Sequence, residues 1–171
     1  MIEQEDHSYE VYVDRATGLY DRRTMWSRLA EEVARARRYH YPFSLMLIAF
    51  QAPEPHAAVA ELLELARLLK LHTRAADILA RYSEDTLAVL LPCTDERGAM
   101  RLAERVRQIV LGDMPLHPSL CTLHIGLTTA AEDYTGDKVA LVEQVEWALR
   151  KAQVAGREHR TVVVPAAASA A

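Results

Sequence analysis

Apolar positions recur along this chain in two rhythms, and their alternation lays out the elements. From Thr24 to about Tyr39, Trp26, Leu29, Ala30 and Val33 share one face and Glu31, Glu32, Arg35 and Arg38 the other. That spacing predicts an amphipathic helix. Pro42 ends the linker behind it, and Phe43 to Phe50 is a continuous apolar run of strand length, suited to burial on both faces. Pro53-Glu54-Pro55 breaks the chain; His56 to about Leu71 then carries Leu62, Leu65, Ala66 and Leu69 at helical spacing. Residues Arg74 to Pro92 read as a β-hairpin with a mixed first half and a continuous apolar second half. Its tip, Ser83-Glu84-Asp85-Thr86, has turn-forming side chains but no glycine.

Asp95 is placed to cap a third helix reaching about Leu111, which Gly112-Asp113-Met114-Pro115 stops. Ser119 to Leu127 is predicted as a strand that ends at Gly126. Lys138 to about Ala155 is a fourth helix, with Leu141, Val145, Ala148, Leu149 and Ala152 on one face and Gly156 at its C-cap. Thr161 to Val164 is the last strand. Strands alternating with helices around one hairpin imply a mixed sheet flanked by helices, an α/β (α+β) domain.

A chain of 171 residues, half of them apolar, suffices for one domain with a sizeable core. Residues 1–13 form a short lead with Tyr9 and Tyr12, which either pack back on the domain or meet a partner. The domain occupies 14–164, and the Ala-rich tail 165–171 is expected to be disordered. A net charge of −4 argues against nucleic-acid binding. No apolar run spans a bilayer, and the acidic first residues lack the pattern of a secretory signal. A cytoplasmic protein without membrane attachment is expected. Cys93 and Cys121 form no C-x-x-C unit and are expected as reduced, mostly buried thiols. The seven histidines show no metal-ligand spacing, so no metal site and no cofactor are expected. Trp26 and Trp147 are expected in the core.

The hairpin Ala80-Arg81-Tyr82-Ser83-Glu84-Asp85-Thr86-Leu87-Ala88-Val89-Leu90-Leu91-Pro92 resembles the signature A-R-Y-G-G-D-E-F-A-V-L-L-P of the diguanylate cyclase (GGDEF) family. Further stretches are similar in the same order. Asp14-x-x-Thr17-Gly18-Leu19-Tyr20-Asp21-Arg22-Arg23 matches the opening D-x-L-T-G-L-x-N-R-R, and Arg35-Ala36-Arg37-Arg38 with Pro42-Phe43-Ser44-Leu45 matches R-A-R-R…P-L-S-L. Ala99 to Arg107, His124-Ile125-Gly126, and Ala148-Leu149 with Gly156-Arg157 follow. The resemblance implies a cyclase-like central mixed sheet with an antiparallel hairpin, flanked by helices, in a bacterial signalling protein.

The family joins two nucleoside triphosphates with divalent metal held by hard oxygen ligands. The resemblance places one metal carboxylate at Ala49 and another at Asp85; the acid expected after Asp85 is Thr86. The two signature glycines, which let backbone approach phosphate, are Ser83 and Glu84, and an acidic side chain there repels a triphosphate. The base-reading loop is shortened: its Asn position is gone, its Asp position falls at Ala60, and its histidine at His56. The phosphate lysine corresponds to Gln153, while Arg157 is retained. No cyclase activity and no catalytic residue are therefore expected.

Many members also bind the product, cyclic di-GMP, at an Arg-x-x-Asp motif ahead of the signature. Arg74-Ala75-Ala76-Asp77 keeps that offset, with Ile78 to Tyr82 between motif and signature, and Arg105 matches a further arginine the family contributes. The guanidinium fork suits the O6 and N7 acceptors of guanine, and a carboxylate accepts from its N1–H and N2–H. By spacing alone, Arg74 and Asp77 also suit a surface ion pair of little energy. Two functions follow: a receptor binding cyclic di-GMP through Arg74, Asp77 and Arg105, with a ligand-bridged homodimer within reach, or a nucleotide-independent scaffold for an unidentified protein partner.

Overall fold

The computed structural model describes residues 12–51, 54–112, 122–154 and 160–166. The elements run α1 (Arg22–Tyr39), β1 (Phe43–Gln51), α2 (Pro55–His72), β2 (Ile78–Arg81), β3 (Thr86–Leu91), α3 (Glu96–Gly112), β4 (Thr122–Ala130), α4 (Lys138–Val154) and β5 (Arg160–Pro165). The five strands lie in the order β2-β3-β1-β4-β5. All neighbours pair antiparallel except β4 and β5, which are parallel, so the sheet is mixed as expected. Among the described residues, no helix is long and apolar enough to cross a membrane.

The apolar run of β1 is buried from Phe43 to Phe50 because helices cover both faces of the sheet. Met46, Ile48 and Phe50 face α2 and α3, packing with Leu62, Leu65 and Val106. Leu45, Leu47 and Ala49 face α1 and α4, packing with Leu29, Leu141 and Val145. Each fully buried Leu or Ile contributes roughly 1.5–3 kcal/mol relative to exposure.

Helix ends follow local chemistry. Asp21 caps α1 by accepting from the Thr24 amide (2.7 Å), which starts the helix at Arg22 instead of Thr24. Asp95 caps α3 through the Gly98 amide (2.7 Å). Gly156, expected to cap α4, lies outside the described residues. The end of the lead is tied down: Tyr12 and Thr24 exchange two hydrogen bonds (both 3.1 Å), and Arg23 lies over the Tyr12 ring. Tyr20 then bonds to Leu79 and Arg81, covering the free edge of β2. Tyr9 lies outside the described residues. β5 continues through Pro165, and the Ala166 amide donates to Thr129 O (3.0 Å); the remainder of the tail is outside them as well.

Three expectations need correction. The strand placed at Ser119–Leu127 runs Thr122–Ala130, and Gly126 lies inside it, paired with Leu47. The glycine marks a close approach, since a Cβ there would sit 2.4 Å from Leu149 N and 2.6 Å from Val145 O of α4. Cys93 is exposed at a positive φ of 48° in the turn after β3, where the chain reverses into α3; Cys121 is outside the described residues. Trp147 faces solvent, because α4 turns Ala148 and Leu149 to the sheet. Trp26 is half-buried against the core.

Candidate functional site

Thr73 closes α2, its amide and hydroxyl both donating to Leu69 O (3.0 and 2.8 Å). The chain then turns through residues 74–77 before entering β2. The Asp77 amide donates to Arg74 O (3.0 Å), and the Arg74 amide donates to Asp77 Oδ2 (2.8 Å). Carboxylate and arginine are thus joined through backbone, and no ion pair forms between their side chains. The Arg74 guanidinium stays exposed, while Asp77 is half-buried. Burial pushes the Asp77 carboxyl above its ordinary pKa; the Arg74 amide and charge offset part of that rise.

Arg105 reaches the same place from α3. Its Nη1 donates to His72 O (3.2 Å), satisfying a terminal carbonyl of α2 while holding the guanidinium at the rim. Arg74, Asp77 and Arg105 line one cavity of about 330 Å³ with Arg101, Leu91 and Leu102. Arg101 was not among the residues singled out from sequence. Its signal was present in the Arg101–Arg105 spacing, one turn apart on a helix face. Asp77 and Arg74 also border a shallower cavity with Tyr20, Lys70 and Leu79.

A chain of contacts leads from there to the hairpin tip. Lys70 Nζ donates to Thr17 O (3.0 Å), and the Thr17 amide and hydroxyl donate to Asp14 Oδ1 (2.8 and 2.7 Å). Asp14 Oδ1 meets Arg81 Nη1 at 3.5 Å. Burial raises the Asp14 pKa, but the Thr17 hydrogen bonds and Arg81 outweigh it and hold the carboxyl below its usual range. Arg81 in turn donates to Ser83 O (3.2 Å) and Glu84 O (2.9 Å), clamping a tip that has no glycine.

At that tip, Asp85 Oδ1 accepts from both the Ser83 hydroxyl (2.8 Å) and the Thr86 hydroxyl (3.0 Å). Just before it, Tyr82 anchors the hairpin. Its hydroxyl donates to Glu146 Oε1 (2.5 Å) and accepts from Arg22 Nη2 (3.2 Å), and the Arg22 guanidinium lies 4.5 Å over its ring. Burial, reinforced by Glu146, pushes the Tyr82 phenol up to about 12. A cleft of about 340 Å³ beside the tip is lined by Phe50, Gln51, Ala58, Val59, Ser83, Glu84 and Asp85, two carboxylates and no cation. Ala49 is fully buried between Thr86 and His124 of the neighbouring strands. A methyl there offers no oxygen to a metal, and among the described residues no group of three acids, histidines or cysteines could hold one. His56 is exposed near the start of α2, beside Glu54.

The mixed five-stranded sheet, with this hairpin and helix arrangement, defines an α/β domain whose fold is shared by solved GGDEF domains. The fold overlays the GGDEF domain of DgcB from Caulobacter crescentus, solved in complex with c-di-GMP, at TM-score 0.75 and 14% identity, covering 88% of this chain and 92% of that one. It also overlays the diguanylate cyclase SiaD from Pseudomonas aeruginosa, solved with its activator SiaC, at TM-score 0.76 and 24% identity, covering 89% of this chain and 61% of that one. The sequence profile described as "Diguanylate cyclase, GGDEF domain" matches residues 56–159. Diguanylate cyclase DgcP of Pseudomonas aeruginosa is 30% identical over 92% of this chain and 25% of its own length. Response regulator PleD of Caulobacter vibrioides is 33% identical over 89% of this chain and 36% of its own. This chain belongs to the GGDEF domain family, and it spans about a quarter to a third of the length of those two relatives.

Proposed function

We propose that this domain receives cyclic di-GMP without making it, binding the dinucleotide in the cavity of Arg74, Asp77 and Arg105. The observation that carries the reading is the convergence of those three side chains, from the α2–β2 turn and from α3, on one cavity. Arg74 presents an exposed fork for a guanine Hoogsteen edge, and Asp77, fixed by its own turn, accepts from the Watson–Crick edge. Arg105 faces the negative charge of the phosphates. Leu91 and Leu102 give a base an apolar wall.

The hairpin-tip cleft supports the absence of cyclase chemistry. Asp85 already serves two hydroxyls, Ala49 brings no ligand oxygen, and Glu84 adds negative charge where a triphosphate would enter. These residues do not fit a divalent metal, and no reaction step is routed through one. Incubation with GTP and magnesium is expected to give no cyclic di-GMP; product formation would reject this half of the proposal.

Calorimetric titration with cyclic di-GMP tests the other half. Wild type is expected to give saturable heat, and Arg74→Ala to weaken binding by about tenfold or more, as loss of a charge-assisted hydrogen bond does. No heat with wild type would discard the receptor reading. The nucleotide-independent scaffold would then remain, with the hairpin tip or the aromatic lead as its recognition surface.

A further inference from the structure

We propose that the outward face of α4 docks a second copy of this chain. The inner side of α4 carries Leu141, Val145, Ala148, Leu149 and Ala152, all buried. A helix packed this way ordinarily shows a polar outer side. Here the outer side exposes Val139 by 47%, Trp147 by 46% and Val154 by 84%. Between these apolar positions stand Glu143 and, on the C-terminal side of Trp147, Arg150 and Lys151, all exposed; Glu143 and Lys151 each lie about one helical turn from Trp147, in opposite directions. Lys151 Nζ lies 5.1 Å from the Trp147 ring centroid, over the indole.

The order Val, Glu, Trp, Lys, Val is self-complementary. Two such helices laid antiparallel about a two-fold axis at Trp147 bring the indoles together and set each Glu143 against Lys151 of the other copy. Val139 then meets Val154 of the other copy. An isologous contact requires one patch whose two halves match each other, and opposite charges at equal distance from an apolar centre provide that match. A parallel pairing, or a partner of uniform charge, would place like charges together over part of the stripe. The central tryptophan is the residue type that most often carries such a contact. One helix pair buries less than a standard interface, so the association is expected to be weak, in the micromolar-to-millimolar range. None of these residues lines the Arg74–Asp77–Arg105 cavity, so this contact is independent of any ligand-bridged dimer.

Sedimentation equilibrium of the ligand-free chain, from micromolar to millimolar concentration, tests the proposal. The apparent mass is expected to rise toward that of two copies. Glu143→Lys alone, Lys151→Glu alone, or Trp147→Glu should each weaken association by about tenfold or more. The double variant Glu143→Lys with Lys151→Glu should restore it, and circular dichroism should show all variants folded. A wild type that stays monomeric overturns the proposal. So do single charge reversals that change nothing, or a double variant that restores nothing. Association seen only with cyclic di-GMP also overturns it, while leaving the receptor reading standing.

Discussion

In the proposed cyclic di-GMP site, Asp77 would set the pH range in which a guanine can be held. Its carboxyl must be ionised to accept two N–H donors, yet burial raises its pKa in the free protein. On acidification Asp77 therefore takes up a proton at a higher pH than an ordinary aspartate, and binding must expel that proton. Affinity for cyclic di-GMP is expected to fall as pH drops, starting above the usual aspartate range and approaching about tenfold per pH unit. Calorimetry across mildly acidic to neutral buffers checks this, and Asp77→Asn should bind weakly with a flat profile. A wild-type affinity that does not change with pH would remove Asp77 from the site. Arg74, Asp77 and Arg105 were proposed from motif offset and resemblance, and the structure shows that all three border one cavity. Arg101 was not singled out, since one arginine among many gains meaning only when a cavity selects it.

Among the elements, β4 and α4 approach so closely that a single methyl is excluded at Gly126. Gly126→Ala should force the helix outward and cost about 1–3 kcal/mol, read as a lower urea midpoint with an unchanged slope. The hairpin depends on side chains in place of turn glycines. Tyr82→Phe removes the hydroxyl that joins Glu146 to Arg22 and should cost about 1–2 kcal/mol by the same measurement. A neutral result would mean that Arg81 alone fixes the tip. Periodicity located every element, but it misplaced the end of β4. A glycine inside a strand reads as a stop until the helix that requires it is in view. Trp147 misled for a related reason: an apolar helix residue is assigned to the core unless the packed face is known.

For the whole molecule, a ligand that binds only the folded chain must stabilise it. At a hundredfold excess over Kd, cyclic di-GMP should add about 2.7 kcal/mol. For a domain of this size that corresponds to several degrees in Tm. At the same ligand concentration the shift should shrink to about half or less in Arg74→Ala, and its absence in wild type would count against binding to the native state. The sequence by itself determined the succession of helices and strands and the family. Those properties reside in residue identity and short-range spacing, which survive without coordinates. Tertiary structure alone decided that Arg101 joins the cavity between the turn after α2 and α3, that Cys93 lies outside the core, and that Trp147 looks outward. Such facts depend on which sides of distant elements are pressed together, and a one-dimensional pattern carries no record of that contact.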